Sequence, residues 1–258
     1  MVAFFEKREP LFLKKSSGSE RELEEMRLLL GRVSSEDWQR LERDIKLAEA
    51  EVQGERKVAF ELANSHLPIV VLHDLRLEHT GHAGRIDFLI VTPYVNMVVE
   101  CKSLVGTIAV SSKGFFTRTF RHGERVFKEE IDSPIELNRL HLEMMEAIRE
   151  ADDSVTRRVA CERPMPDFCE SVVVLANPKA VLDDRFARVE DCRQIIRVDA
   201  LASYLSGVDA ACRKVHGKRS WEEMERIAQY WISKHVERPV DWTLQYRLRY
   251  EFRAGAYR

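Results

Sequence analysis

The sequence predicts a mixed α/β protein: a mixed β-sheet core flanked by helices, with a helical extension before it and a helix plus tail after it. Three observations carry this. Runs of strand length, rich in branched residues, fall close together in mid-chain at residues 69–72, 85–92 and 96–102. Apolar residues recur at steps of three and four both before and after these runs, the period of a helix packed on one face. The two patterns alternate along the chain instead of occupying separate halves, which favours one mixed core over two unlike domains.

Taken in order, residues 1–17 mix apolar and basic residues around Pro10 and read as an irregular arm. Residues 18–30 are helical and highly charged, and Gly31 interrupts them. Ser34 and Asp37 form an S-x-x-D start signal, after which Trp38, Leu41, Ile45, Ala48 and Val52 mark one helix face. That stripe is read as packing surface. Gln53-Gly54 is expected to break the helix, with Glu55, Val58, Ala59, Leu62 and His66 on one face of a new short one ended by Pro68. The strand at 69–72, a glycine-bearing loop at 80–84, and strands at 85–92 and 96–102 then make an antiparallel meander. Further short strands are expected at 107–110, 115–120 and 125–128. Pro134 opens a helix to about residue 151, with Leu137, Leu140, Met144 and Ile148 on one face. A connector at 152–168 leads to strands at 171–176 and 195–198, a helix from Asp199 and a last helix at 221–236. The expected units are an extension at 1–53, a core at 54–206, and a helix with a basic-aromatic tail at 207–258.

Composition narrows the function classes. With 45% hydrophobic and 33% charged residues, the chain can bury a full core and is not globally disordered. Its 41 basic and 43 acidic residues exclude a histone-like polycation but leave room for a local basic groove. Five cysteines without any C-x-x-C spacing argue against a zinc ribbon or redox motif. No apolar run approaches the roughly 20 residues of a membrane helix, and no signal-peptide pattern opens the chain, so a cytoplasmic, soluble protein is expected.

The chemistry lies in Asp87, Glu100 and Lys102, with Glu55 upstream. Glu100 and Lys102 are two apart on a strand and share a face, while Cys101 points the other way with Met97 and Val99. Asp87 stands on the preceding strand, and Glu55 on the helix face that should meet the sheet. Charges inside apolar strands need partners or a metal. Three carboxylates and one amine fit a hard divalent cation with a lysine beside its water, a combination suited to phosphodiester hydrolysis. The plainer reading is a surface Glu–Lys pair worth about 0–1 kcal/mol and an aspartate bonded to backbone.

These residues also carry a family resemblance. Gly54-Glu55, the run Arg85-Ile86-Asp87-Phe88-Leu89-Ile90-Val91, Val98-Val99-Glu100-Cys101-Lys102, Gly106-Thr107-Ile108 and Ser133-Pro134 together resemble the nuclease-related domain, NERD. The resemblance covers roughly residues 50–150. It implies a restriction-endonuclease-like fold of the PD-(D/E)xK nuclease superfamily. It also implies Mg²⁺, with Mn²⁺ as substitute, held by Asp87 and Glu100 and completed by Glu55. Lys102 becomes the catalytic base or water-positioner, nucleic acid (DNA in the first instance) the substrate, and a homodimer an open assembly state. The chain departs from the family pattern at Arg85, at Tyr94-Val95-Asn96 and at Leu137. Arg85 and Leu137 favour a second reading, a non-catalytic nucleic-acid-binding or regulatory module on a degenerate nuclease fold.

Other signals are weaker. His66, His73, His79 and His82 are irregularly spaced and are expected to be mostly solvated, without a zinc site. Two basic regions are candidate nucleic-acid contacts: Arg118, Arg121 and Arg125 with Lys113 and Lys128, and the tail with Arg247 and Arg249. In the tail Tyr246, Leu248, Tyr250 and Phe252 alternate with charged residues, which also suits a packed edge strand. A third class of function, an interaction protein, would expose the Trp38 stripe to a partner.

Overall fold

The computed structural model describes residues 9–15, 18–153, 169–237 and 240–248. The chain runs β1 (Leu11–Lys14), α1 (Gly18–Leu28), α2 (Ser35–Ala63), β2 (Val70–His79), β3 (His82–Val91), β4 (Asn96–Lys102), β5 (Gly106–Val110), β6 (Phe116–His122) and β7 (Arg125–Ile131). It continues with α3 (Pro134–Ala151), β8 (Cys169–Leu175), β9 (Ala180–Asp183), α4 (Val189–Arg193), β10 (Ile195–Arg197), α5 (Leu201–Cys212) and α6 (Trp221–Ser233). Two mixed sheets result. The six-stranded one has the order β1-β2-β3-β4-β8-β10, and the four-stranded one β7-β6-β5-β9. β2, β3 and β4 are antiparallel, whereas β8 runs parallel to β4 and β10 parallel to β8. This is the mixed α/β, restriction-endonuclease-like architecture expected.

The large sheet is covered on both faces. Val70, Leu72, Leu89, Val91 and Val98 pack against Met145 and Ile148 of α3 and Ile227 and Trp231 of α6. Val71, Phe88, Ile90, Met97 and Val99 pack against Val58 and Leu62 of α2 and Leu201 and Leu205 of α5. Burial on both sides explains why β4 and β8 read as nearly continuous apolar runs. A separate cluster joins Leu23 and Met26 of α1 to Leu41, Ile45 and Val52 of α2, with Trp38, Ala48, Trp242 and Tyr246. The Trp38 stripe is therefore packing surface, closed partly by the C-terminal segment. No helix among the described residues is long and apolar enough to cross a membrane.

Several local expectations are corrected. Residues 11–14 are a strand parallel to β2, because the arm's apolar residues complete the sheet edge. α2 does not break at Gly54. The glycine serves close approach instead: a Cβ there would lie 2.8 Å from Ser103 Cβ and 3.2 Å from Cys101 Sγ. The 80–84 loop shrinks to a two-residue turn, since Thr80 and Gly81 both take positive φ (47° and 83°) and His79 already pairs His82. The buried face of α3 is Asn138, His141, Met145 and Ile148; Leu140 is 48% exposed. β9 and α4 were not anticipated. Most of the 152–168 connector lies outside the described residues.

Candidate active site

The site forms where the central strands part. β3 and β4 pair only from Val91↔Asn96 to Phe88↔Val99. Asp87 is the first residue beyond that ladder. Its Oδ2 accepts the next available backbone N–H, that of Cys101, at 2.8 Å. A second irregularity coincides with this one. Val70 and Leu72 face the α3 side, but so do the odd-numbered Leu75 and Leu77; on β3, Leu89 and Val91 share that side with the even-numbered Ile86. The alternation thus slips by one residue on both strands, where Asp74 stands opposite Asp87 between the pairs His73↔Phe88 and Leu75↔Ile86. Asp74 carries the slip with a left-handed φ of 58°, a conformation that aspartate tolerates better than most residues.

Four charged side chains named from the sequence meet around this point. Glu100 is 4% exposed and its Oε1 lies 2.6 Å from Lys102 Nζ. Their shared face is as expected, and with Glu100 buried this is not a surface pair. Glu55, also 4% exposed, enters from α2. Its Oε1 accepts from Ser19 Oγ at 2.8 Å and from Arg85 Nη2 at 2.7 Å, and its Oε2 lies 2.9 Å from His73 Nε2. Arg85 also bonds Ser19 Oγ and pairs through Nε with Asp74 Oδ1 at 2.8 Å. Asp74 in turn accepts the Gly18 N–H that opens α1, at 2.7 Å.

The electrostatics follow from this crowding. Burial raises the Asp87 carboxyl well above its ordinary value; repulsion from Glu100 and Glu55 adds to it, against the pull of Arg85 and the Cys101 N–H. Burial raises Glu100 likewise, opposed chiefly by Lys102. For Lys102, burial works against the charge, but Glu100, Asp87 and Glu51 outweigh it and the ammonium is held protonated. Arg85 is desolvated too, yet Glu55, Asp87 and Asp74 more than compensate. Glu51, one turn before Glu55, is exposed at its outer side but belongs to the same field. Partial burial raises it, Arg85 and Lys102 draw it down, and Glu55 and Glu100 push it up.

Two buried carboxylates that repel one another and keep only one close amine fit a hard divalent cation, which relieves the repulsion. Among the described residues no group of three or more His, Cys, Asp or Glu side chains converges as a metal cage. Asp87 and Glu100 are the two carboxylates that could hold such an ion, with water completing its shell. Glu55, the third carboxylate named from the sequence, already has both oxygens engaged.

All these strands and Glu55 fall inside residues 50–176, which match the nuclease-related domain family. Residues 50–176 are a NERD domain. Its general class is the PD-(D/E)xK nuclease superfamily. Neither curated proteins nor solved structures return a match.

Sequence reading missed several residues of this candidate site. His73 was expected among solvated histidines; it is 6% exposed, stacked on Phe88 with ring centroids 4.3 Å apart and bonded to Glu55. Glu51 could have been found from its i, i+4 spacing to Glu55. Asp74, Ser19 and the clamp made by Arg85 had no local signal. Of the basic candidates, Arg121 and Arg125 are exposed on the β6–β7 hairpin. Arg118 is committed to Val105 O at 2.8 Å and Glu129 at 3.0 Å and lies over Phe120. Arg247 pairs with Glu36, and its N–H donates to Asp37 at 2.7 Å. Tyr246 is buried with its hydroxyl 2.9 Å from Asp44, and Leu248 bridges Val33. Arg249, Tyr250 and Phe252 lie outside the described residues.

Proposed function

We propose that this NERD domain is a Mg²⁺-dependent nuclease that hydrolyses phosphodiester bonds of nucleic acid, DNA in the first instance. The observation that carries the reading is the buried Asp87–Glu100 pair beside a protonated Lys102, at the point where β3 and β4 separate. Asp87 and Glu100 would hold the ion. Once bound, a divalent cation supplies positive charge against phosphate oxygens and acidifies its water.

The remaining work belongs to side chains. Lys102, 2.6 Å from Glu100, is placed to orient the water or a phosphate oxygen, or to take a proton from that water. Glu55 acts through Arg85, fixing its guanidinium beside Asp87. Arg121 and Arg125 are the arginines best placed to track a phosphate backbone, because Arg118 and Arg247 already have partners.

The test is cleavage of closed-circular and single-stranded DNA by the purified protein in Mg²⁺, Mn²⁺ or EDTA, beside Asp87→Asn and Lys102→Ala. Metal-dependent cutting that both folded variants lose supports the assignment. Variants that cut like the wild type overturn it. A second reading, a nucleic-acid-binding module without catalysis, is favoured by one observation: Arg85 already supplies Glu55 with a cation. DNA affinity in EDTA without cleavage in any metal would select it.

A further inference from the structure

The face of α3 that meets the sheet is not wholly apolar. Asn138 and His141 lie one turn apart on it, 1% and 3% exposed. Alternation along β4 puts Glu100 and Lys102 on the side that carries Val98, and Val98 packs with Met145 and Ile148 of α3. Asn138 and His141 therefore belong to the wall over Glu100 and Lys102. Asn138 Nδ2 donates to Val172 O of β8 at 3.1 Å. The His141 ring lies against β3, where a Cβ on Gly84 would come 3.2 Å from its Cδ2. Together they reach from β8 to β3 across the active-site strand.

Among the described residues, one buried atom of each has no hydrogen-bond partner: Asn138 Oδ1 and His141 Nδ1. The bond to Val172 O fixes the amide's orientation, so the unpaired atom is an acceptor. Burial, with the nearby charge of Lys102, lowers His141 to about 4 and keeps the ring neutral. A proton on Nδ1 would bury a donor with nothing to receive it, whereas a proton on Nε2 leaves Nδ1 as a second acceptor. Two acceptors one turn apart on the same buried helix face repel phosphate oxygens and select a donor. In a hydrolytic site, the donor small enough to enter between α3 and β4 is water.

We propose that His141 Nδ1 and Asn138 Oδ1 are a water-positioning pair, accepting the O–H groups of the water that attacks the phosphodiester bond beside Glu100 and Lys102. The inference rests on the nuclease reading. It supplies two acceptors from α3, separate from the charged groups that β4 contributes. With both hydrogens directed to α3, a lone pair of the water faces phosphorus; as its P–O bond forms, the ester P–O bond breaks, the attacking water gives up one proton to solvent and the leaving oxygen takes one from it.

The test compares His141→Phe, which keeps a ring but no acceptor, with His141→Gln, which restores one. Three quantities are read: single-turnover cleavage, oligonucleotide affinity in EDTA, and the ¹⁵N imidazole signals of the wild type. The Phe variant should cleave about 100-fold more slowly with metal-free affinity within about twofold, and the Gln variant should recover about tenfold of the loss. At pH 7 His141 should be neutral with its proton on Nε2, a result that does not depend on activity or on any variant's folding. Equal rates for Phe and Gln, an affinity loss that matches the rate loss, or an Nδ1–H tautomer overturns the proposal. If the wild type cleaves and His141→Phe keeps pace, only this inference falls. If the wild type cleaves nothing, the nuclease reading falls and takes the inference with it.

Discussion

Replacing Asp87 by Asn should stabilise the metal-free protein at neutral and alkaline pH. Asp87 and Glu100 stand opposite one another just past the end of the β3–β4 ladder. Cross-strand neighbours lie about 5 Å apart, and two like charges at that distance repel by about 3 kcal/mol at an effective dielectric constant of about 20. Asparagine keeps the oxygen that accepts the Cys101 N–H and loses the attraction to Arg85, so about 1–2 kcal/mol should remain as net gain. The sign of the pH dependence follows from the raised carboxyl. A group whose pKa is higher in the folded state supports folding below its unfolded value and loses that support as pH rises through the folded one. The gap between variant and wild type should therefore vanish near pH 4, the unfolded carboxylate range, and widen above it. Urea unfolding in EDTA at pH 4, 6 and 8, followed by tryptophan fluorescence, measures it. Mg²⁺ should reverse the order by stabilising the wild type by about 2–3 kcal/mol at a hundredfold excess over Kd, and the variant little. An Asn variant that is less stable than the wild type at pH 8 in EDTA would refute the reasoning.

Removing the amine should do the opposite. Lys102→Met leaves Glu100 buried without its partner and should cost about 1–3 kcal/mol, most of it recovered by adding Glu100→Gln, as a double-mutant cycle in urea would show. Gly54→Ala should destabilise by about 1–2 kcal/mol despite alanine's better helix propensity, because the new Cβ meets Ser103 Cβ at 2.8 Å; circular dichroism melts test this, and cutting should fall as Glu55 shifts. Arg121→Glu and Arg125→Glu should weaken DNA binding without changing the melting temperature. Each lost phosphate contact should lower the slope of log affinity against log salt by about 1, and unchanged slopes would remove the hairpin from the interface.

Much of the architecture was legible because burial leaves periodic marks. The meander from β2 to β4 and the boundaries of α3 followed from branched runs and from Ser133-Pro134, whose serine does cap the helix by accepting from the Glu136 N–H at 3.2 Å. What failed were the readings of Gly54 and of the glycine-bearing stretch at 80–84. Gly54 signalled contact with β4 and not a break, and Gly81 signalled a tight turn and not a loop. Asp87, Glu100, Lys102 and Glu55 stood out as candidates because charge inside apolar strands is rare, and the structure brings them together. Their supporting residues were not. Asp74 and Arg85 sit in strands that look ordinary until β1 and α1 are folded over them, and a partnership between residues 18 and 74 leaves no periodic trace. Asn138 and His141 were hidden by placing the buried face of α3 one residue away.

The unbroken course of α2 bears on where this protein can be cut. The family match begins at residue 50, near the middle of a 29-residue helix. A fragment starting there would place Glu55 in the opening turns of a truncated helix, where amide groups lose their partners and the backbone frays. It would also lose Ser19, one of the groups holding that carboxylate, and strip Leu41 and Ile45 from the cluster that anchors the far end of the rod. The stretch recognisable by homology is thus smaller than the unit that holds its geometry. Trimming to the homologous boundary would remove, along with the extension, the rigidity that sets one acidic side chain against the sheet.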